Sequence, residues 1–342
     1  MKNAYSRLLF ASALSVFSFL ILIITLLFIV PLSQHSQPRR QPVEVLPTGQ
    51  TGNWIMLFHD SFNGTALDTR KWTTCYFNFS VGNGCDHDQG ELELYQPDNV
   101  FESNGVLNLR AEKQSIRASN GKTYDYTSGM ITTGPTTAAS NDTRFSFQYG
   151  YMEMRARVPR GKGLWPAFWM LPADLSWPPE IDVFEILGDA SNVINMHYHF
   201  PTASGGEGDS GKDWTGPNFS AGWHIYAVDW EPHAITWYVD GVERRRYTDA
   251  AHITSKPMYL IADLAVGGDL PGPPDSSTQF PSYFQIDYIR VWKSEASSTH
   301  TSVPVVLASA PGLPAFPIAT LPCSVSYLYG QRRQASGRGR SS

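Results

Sequence analysis

The sequence is sparing with charge: only 17% of its 342 residues are Asp, Glu, Lys or Arg. It has three cysteines, Cys75, Cys85 and Cys323, and no C-x-x-C pair, which excludes a cysteine zinc site of the usual spacing. Cys75 and Cys85 either close a short loop as a disulfide or remain two free thiols. Between residues 54 and 293 no apolar run keeps a helical period for three turns, and no repeat of ~20–50 residues recurs. The positive charge is displaced to the ends, with Lys2, Arg7, Arg39 and Arg40 before the body and Arg332, Arg333, Arg338 and Arg340 after it. The body between them is acidic. An acidic body is a poor match for nucleic acid or a polyanionic polymer, and a neutral polymer fits it better.

Aromatic residues are plentiful, at 13%. A chain rich in Trp and Tyr and poor in charge suits a folded domain with an aromatic-lined cleft. Residues 1–7 are a short basic segment. Residues 8–32 form an uncharged apolar stretch of 25 residues. A bilayer-crossing helix needs ~20 such residues, and the apolar core of a cleaved signal peptide has only ~7–15. Residues 8–32 are therefore expected to be a transmembrane signal anchor, with a signal peptide as the alternative, and the body outside the cell. Residues 33–53 read as a Pro-rich linker and 54–295 as the catalytic domain. Residues 296–342, rich in Ser, Ala and Pro, read as a disordered tail.

The body alternates. Val106–Ala111 and the run from Tyr151 to Val158 place apolar residues at every second position, as a half-buried strand requires. The run from Ile235 to Val239 enters Asp240-Gly241, a two-residue hairpin signal. The run from Phe284 to Trp292 is a long closing strand. Many short strands with regular turns predict an antiparallel β-sandwich.

One strand carries acids where a strand should not: Glu180-Ile181-Asp182-Val183-Phe184-Glu185, followed by Ile186. Alternate residues share a face, so Glu180 and Asp182 agree and Glu185 is one residue out of phase. A β-bulge between Asp182 and Glu185 restores the phase and leaves Ile181 and Ile186 on the core side. At ~3.3 Å per residue the two glutamates then stand ~13 Å apart at Cα. Two side chains leaning together reduce that to about the 5–5.5 Å of a retaining glycosidase pair. No histidine sits at ligand spacing within the strand, which speaks against a metal there.

Upstream, Trp165, Phe168 and Trp169 lie so close together that at least one belongs in the core and at least one in the cleft, where it would stack on a sugar face. Trp165 and Trp169 are the expected cleft residues, with Trp230. His197 and His199 share a strand face, and His197 is expected to contact substrate.

The ordered set of motifs resembles glycoside hydrolase family 16, in its laminarinase-like branch. The set runs from Phe58-His59-Asp60-Ser61-Phe62-Asn63-Gly64, Leu67-Asp68 and Lys71-Trp72, through Tyr149–Ala156 and Trp165–Pro172, to Leu264-Ala265-Val266-Gly267-Gly268 and Asp287–Val291. The resemblance implies a concanavalin-like β-jelly-roll sandwich with a concave cleft and a retaining mechanism. In it Glu180 is the nucleophile, Asp182 the assisting acid and Glu185 the acid/base. It implies a substrate contact at Glu91 and no cofactor for catalysis. It also implies a structural calcium at Asp287 with backbone near Gly105. The bulged spacing is that of enzymes acting on β-1,3-glucan. Departures are Pro179 for a Gly, Ser61 for an acid, Asp263 for an Asn, and Gly90-Glu91-Leu92-Glu93 for Asn-Glu-Leu-Gln.

The expected function is thus an endo-acting, monomeric hydrolase of β-1,3-glucan or mixed-linked β-1,3-1,4-glucan, membrane-anchored outside the cell or secreted. A cell-wall transglycosylase and a non-catalytic glucan-binding protein on the same fold are the competing readings. The first shares the glycosyl-enzyme intermediate, and the second would tend to have lost the glutamates.

Overall fold

A computed structural model describes residues 45–75, 84–86, 90–136 and 142–295. The expected anchor, most of the expected linker and the expected tail lie outside these residues. Among the described residues no helix is long and apolar enough to cross a membrane. Two three-residue 3-10 turns, Pro97–Asn99 and Gly188–Ala190, lie among the strands, which make up nearly all the regular structure of the described residues.

Most strands form two antiparallel sheets, as the alternation predicts; besides these, Glu93–Tyr95 pairs in parallel with Tyr126–Ser128, and Ile116–Arg117 pairs with Thr123–Tyr124. The cleft sheet has six strands in the order Glu207–Thr215, Val193–Pro201, Glu180–Glu185, Leu164–Pro172, Met258–Val266 and Met130–Thr132. The outer sheet has eight. Its path runs Val242–Tyr247, Ala234–Val239, His224–Glu231, Gly150–Arg157, Ser282–Ser294, Val106–Ala111 and Val100–Ser103, and Trp54–Asp60 pairs with Ser282–Ser294. Sequence neighbours often pair with distant strands, which is the crossing pattern of a jelly roll.

Period-two patterning decides what lies between the sheets. On Met258–Val266, Leu260, Ala262 and Leu264 enter the inter-sheet core, while Ile261 and Asp263 share the opposite, cleft face. On Gly150–Arg157, Met152, Met154 and Ala156 point inward and Glu153 points out. Val239 pairs with Val242 across Asp240 and Gly241, both at positive φ, so the expected hairpin forms with the left-handed pair its tight turn demands.

The outer face of this sheet is partly roofed by the chain that leads into the domain. Thr48 donates its backbone N–H to Glu153 Oε2 at 2.9 Å, and the Trp292 indole donates to the Val45 carbonyl at 2.8 Å. Glu153 is fully buried beneath this strap and also accepts the Tyr288 hydroxyl at 2.9 Å. Cys75 and Cys85 are disulfide-bonded, which resolves their two readings.

One expected cleft residue is not in the cleft. Trp230 has no exposed surface and belongs to the core between the sheets, where it packs against Phe147 and Tyr149. Its strand belongs to the outer sheet. Trp230 shares its face with Tyr226 and Val228, so parity sends it into the sandwich and away from any ligand. Trp230→Ala is expected to cost about 3–5 kcal/mol of unfolding free energy, the usual loss for a buried Trp. Denaturant unfolding measures this, and KM for a polymer substrate should be unchanged in whatever protein remains folded.

Candidate active site

The register shift that the sequence demanded is present. Phe168 pairs with Phe184, and its neighbour Trp169 pairs with Asp182, so Val183 is the extra residue. The ladder to Val193–Pro201 breaks between the same two acids, Asp182 and Glu185. Ile181, Val183, Phe184 and Ile186 all enter the core. Glu180, Asp182 and Glu185 are left on the other face. The apolar residues choose the bulge: with regular alternation either Phe184 and Ile186 or Glu185 would be on the wrong side.

Cross-strand pairing then builds the site in rows. Asp182 is flanked by Trp169 and His197, Glu185 by Ala167 and Asn195, and Glu180 by His199. Asp182 is buried, and a carboxyl taken out of water resists ionisation; burial and then the charge of Glu185 push it well above the usual carboxylate range. Burial first, then Asp182, pushes Glu180 up to about 8. Each carboxyl opposes the ionisation of the other. Trp177 donates its indole N–H to Glu180 Oε2 at 2.5 Å. His199 Nε2 is 3.5 Å from Asp182 Oδ2, and its Nδ1 is 2.8 Å from Glu207 Oε1. His197 Nδ1 is 3.4 Å from Glu185 Oε2, and the two imidazoles stack with centroids 5.8 Å apart. Behind the sheet, the Trp237 indole donates to the Asp182 carbonyl at 2.7 Å and fixes the middle of the strand from the core side.

The aromatics upstream divide by strand parity, and Trp169 is buried against Cys85, Tyr95 and Tyr259. Phe168 is core, and Trp165 and Trp169 lie on the cleft face. Trp169 Nε1 donates to Asp263 Oδ1 at 2.7 Å, and Tyr95 OH donates to Asp263 Oδ2 at 3.2 Å. The Trp165 indole N–H is buried without a hydrogen-bond partner among the described residues. Glu91 lies in the same polar cluster: burial, then Asp263, push it up to about 8. Beneath it Glu93 accepts the Val266 N–H at 2.9 Å.

His199, Trp177, Asp263 and Trp237 carry this geometry without having been singled out as site residues. The parity of the strand shared with His197 was a signal for His199. The others join the site only through tertiary contacts.

Glu180, Asp182 and His199 each offer a ligand atom within 4.8 Å of the others, the only such trio of acids, histidines or cysteines among the described residues. Asp287 and Gly105 belong to no such group. Asp287 Oδ2 is taken by Arg155 Nη1 at 2.5 Å. Calcium takes about 6–8 oxygen ligands, and a guanidinium beside the site opposes a cation. The residues there do not make a calcium cage.

A family model described as glycosyl hydrolases family 16 matches residues 90–290. The chain is 34% identical over 272 residues to glucan endo-1,3-beta-glucosidase A1 of Niallia circulans, a match covering 70% of this chain and 38% of that protein. It is 40% identical over 197 residues to an endo-1,3-1,4-beta-glycanase of Rhizobium meliloti, covering 57% of this chain and 39% of that one. It therefore spans about two fifths of the length of these relatives. Among solved structures it is similar to the endo-beta-1,3-glucanase of Pyrococcus furiosus, with TM-score 0.62 and 33% identity, over 70% of this chain and 94% of that one. The catalytic domain of an endo-1,3-beta-glucanase (laminarinase) from Thermotoga petrophila RKU-1 matches with TM-score 0.63 and 32% identity, over 72% and 100%.

Holding neutral acids in the cleft has a measurable signature. A carboxyl whose pKa is raised on folding loses stability as pH rises from its unfolded value toward its folded one. For Glu180 that window runs from its ordinary 4.5 to about 8. Glu180→Gln is expected to be more stable than the parent at pH 8 by about 2 kcal/mol, several degrees in Tm. At pH 4 the difference should be small. Thermal unfolding at the two pH values checks this.

Proposed function

Because the chain belongs to glycosyl hydrolase family 16, we propose that it cleaves internal β-1,3 bonds of a neutral glucan by a retaining, two-step displacement. Members of this family need no cofactor for the chemistry. Glu180 attacks the anomeric carbon as a carboxylate, and the proton it shares with Asp182 rests on Asp182 at that moment. Glu185 gives its proton to the departing glycosidic oxygen, so the C–O bond breaks as the glycosyl–Glu180 ester forms. Water then attacks the same carbon. Glu185 takes a proton from that water, the ester opens, and the β configuration returns.

The observation that carries this reading is the bulge at Val183, which brings a third acid to the face that two already occupy. The support for a sugar polymer is the floor around it. Trp165 offers a stacking face, and its buried N–H is a donor that a sugar hydroxyl would satisfy. His197, Glu91 and Asp263 offer polar partners for hydroxyls. The relatives' names favour β-1,3-glucan and admit mixed-linked glucan. The apolar stretch 8–32 would hold the domain outside the cell membrane, or direct its secretion. The disulfide fits that oxidising compartment. Transglycosylation remains the second reading, since sugar and water compete for one intermediate.

Product analysis on laminarin, lichenan and agarose tests the proposal. New reducing ends from laminarin, first appearing as the β anomer by NMR, are expected. No reducing ends from any of the three would refute hydrolysis, and longer transfer products without net hydrolysis would support the transglycosylase. Glu180→Ala and Glu185→Ala should each lose at least ~10³-fold in kcat/KM. Azide should rescue the first as an α-glycosyl azide and the second as a β-glycosyl azide.

A further inference from the structure

Arg245 is a charged side chain inside the sandwich, 6% exposed. It springs from the outer-sheet strand Val242–Tyr247, opposite Trp237 in the ladder, and shares the inward face of that residue. Its guanidinium lies 4.3 Å from the Trp237 ring centroid. It crosses the inter-sheet layer to the back of the cleft sheet. There Nη1 donates to the Met196 carbonyl, and Nη2 donates to the Ser210 carbonyl at 2.6 Å and to Ser210 Oγ at 2.7 Å.

All three acceptors are neutral. Among the described residues Arg245 makes no carboxylate ion pair. Hydrogen bonds of this kind satisfy the N–H groups but leave the charge uncompensated, and a buried charge without compensation is costly. A Met or Leu would fill the same layer at lower cost. Burial draws the guanidinium down to about 10, so it stays cationic across neutral pH. The compensating charge lies through the sheet. Asp209 and Asp182 hold the guanidinium in its charged form, and Arg245 in turn favours the ionised form of Asp182. Trp237 lies between them, its ring against Arg245 and its N–H on the Asp182 carbonyl.

We propose that Arg245 is a positioning residue for glucan cleavage: a counter-cation behind the cleft sheet that lets the Glu180–Asp182–Glu185 cluster carry a negative charge in a desolvated site. Its forked contacts to Met196 and Ser210 tie the strand that presents His197 and His199 to its edge neighbour Glu207–Thr215. The proposal rests on the reading of Glu180 and Glu185 as the catalytic pair.

The groups around the guanidinium are Asp182, Asp209 and Tyr247, and those around the carboxyls are Glu180, Glu185, His197, His199 and Glu207. Attack needs one ionised carboxylate. Removing a nearby cation raises the pKa at which that charge appears, so the acid limb of the activity profile moves to higher pH. A unit charge on the far side of one sheet, in an effective dielectric of ~20, shifts a carboxyl by about one pH unit.

The test is the pH profile of kcat/KM on laminarin for the full chain, for Arg245→Met and for Arg245→Lys, each checked for folding by near-UV circular dichroism. Arg245→Met should move the acid limb up by about one unit, with less than a tenfold loss on the plateau above it. Arg245→Lys keeps the charge and loses the fork. It should lower the melting temperature and leave the limb where the parent has it. A folded Arg245→Met with an unmoved limb overturns the proposal. If the Met variant does not fold, a limb that shifts upward in Arg245→Lys overturns it instead, because a purely structural role would then explain the effect. Glu180→Ala separates the two readings. Full activity there refutes the catalytic pair itself, whereas an inactive Glu180→Ala beside an unmoved Arg245→Met limb refutes only the role of Arg245.

Discussion

Three carboxyl groups on one face of a strand whose other face is hydrocarbon set the terms for this fold. Water cannot reach that strand from behind, and little reaches Asp182 from the front. Each acid must therefore hold a proton, share one or find a counter-charge. On the cleft side Trp177 donates a hydrogen bond to Glu180, and the two histidines lie 3.4 Å from Glu185 and 3.5 Å from Asp182. The core side supplies an indole N–H to the strand backbone, and a guanidinium beyond it. The chemistry asks for one charged and one protonated carboxylate, and the surroundings provide both from a single cluster.

The bulge is the geometric half of the same constraint. Val183, Phe184 and Ile186 are too apolar to leave the core, so the strand accepts an unpaired residue instead of turning Glu185 inward. Hydrophobic burial thus positions the proposed proton donor. The energy that seats Phe184 against Tyr226 and Phe284 also aims a carboxyl several ångströms away.

Much of this was legible from spacing alone. An acid one residue out of phase among large apolar residues has few resolutions, and the Val183 bulge is the one the chain adopts. The Asp240-Gly241 turn and the all-strand architecture followed from equally local signals. Trp230 did not. Its parity was readable, but parity only divides a strand into two faces. Which face meets the core depends on the sheet the strand joins, and that is decided by pairing with Gly150–Arg157, some eighty residues earlier. Arg245 was hidden for a related reason. In Glu243-Arg244-Arg245-Arg246 it reads as one of several surface charges, and only the opposite sheet shows that one of them turns inward. Trp177 and Trp237 are ordinary in their own segments and acquire a role only through their neighbours, and Asp263, visible as a departure from the motif, gains its partners Trp169 and Tyr95 only in the fold.

The strap from Val45 to Thr48 has a mechanical meaning. It is stitched to the outer sheet through Glu153 and Trp292, on the side of the sandwich opposite the acids. Force arriving along the chain from residue 44 would load those stitches before it reached the cleft sheet. The entering chain and the acid-bearing face lie back to back, so the lead-in to the domain does not cross the side on which the acids open.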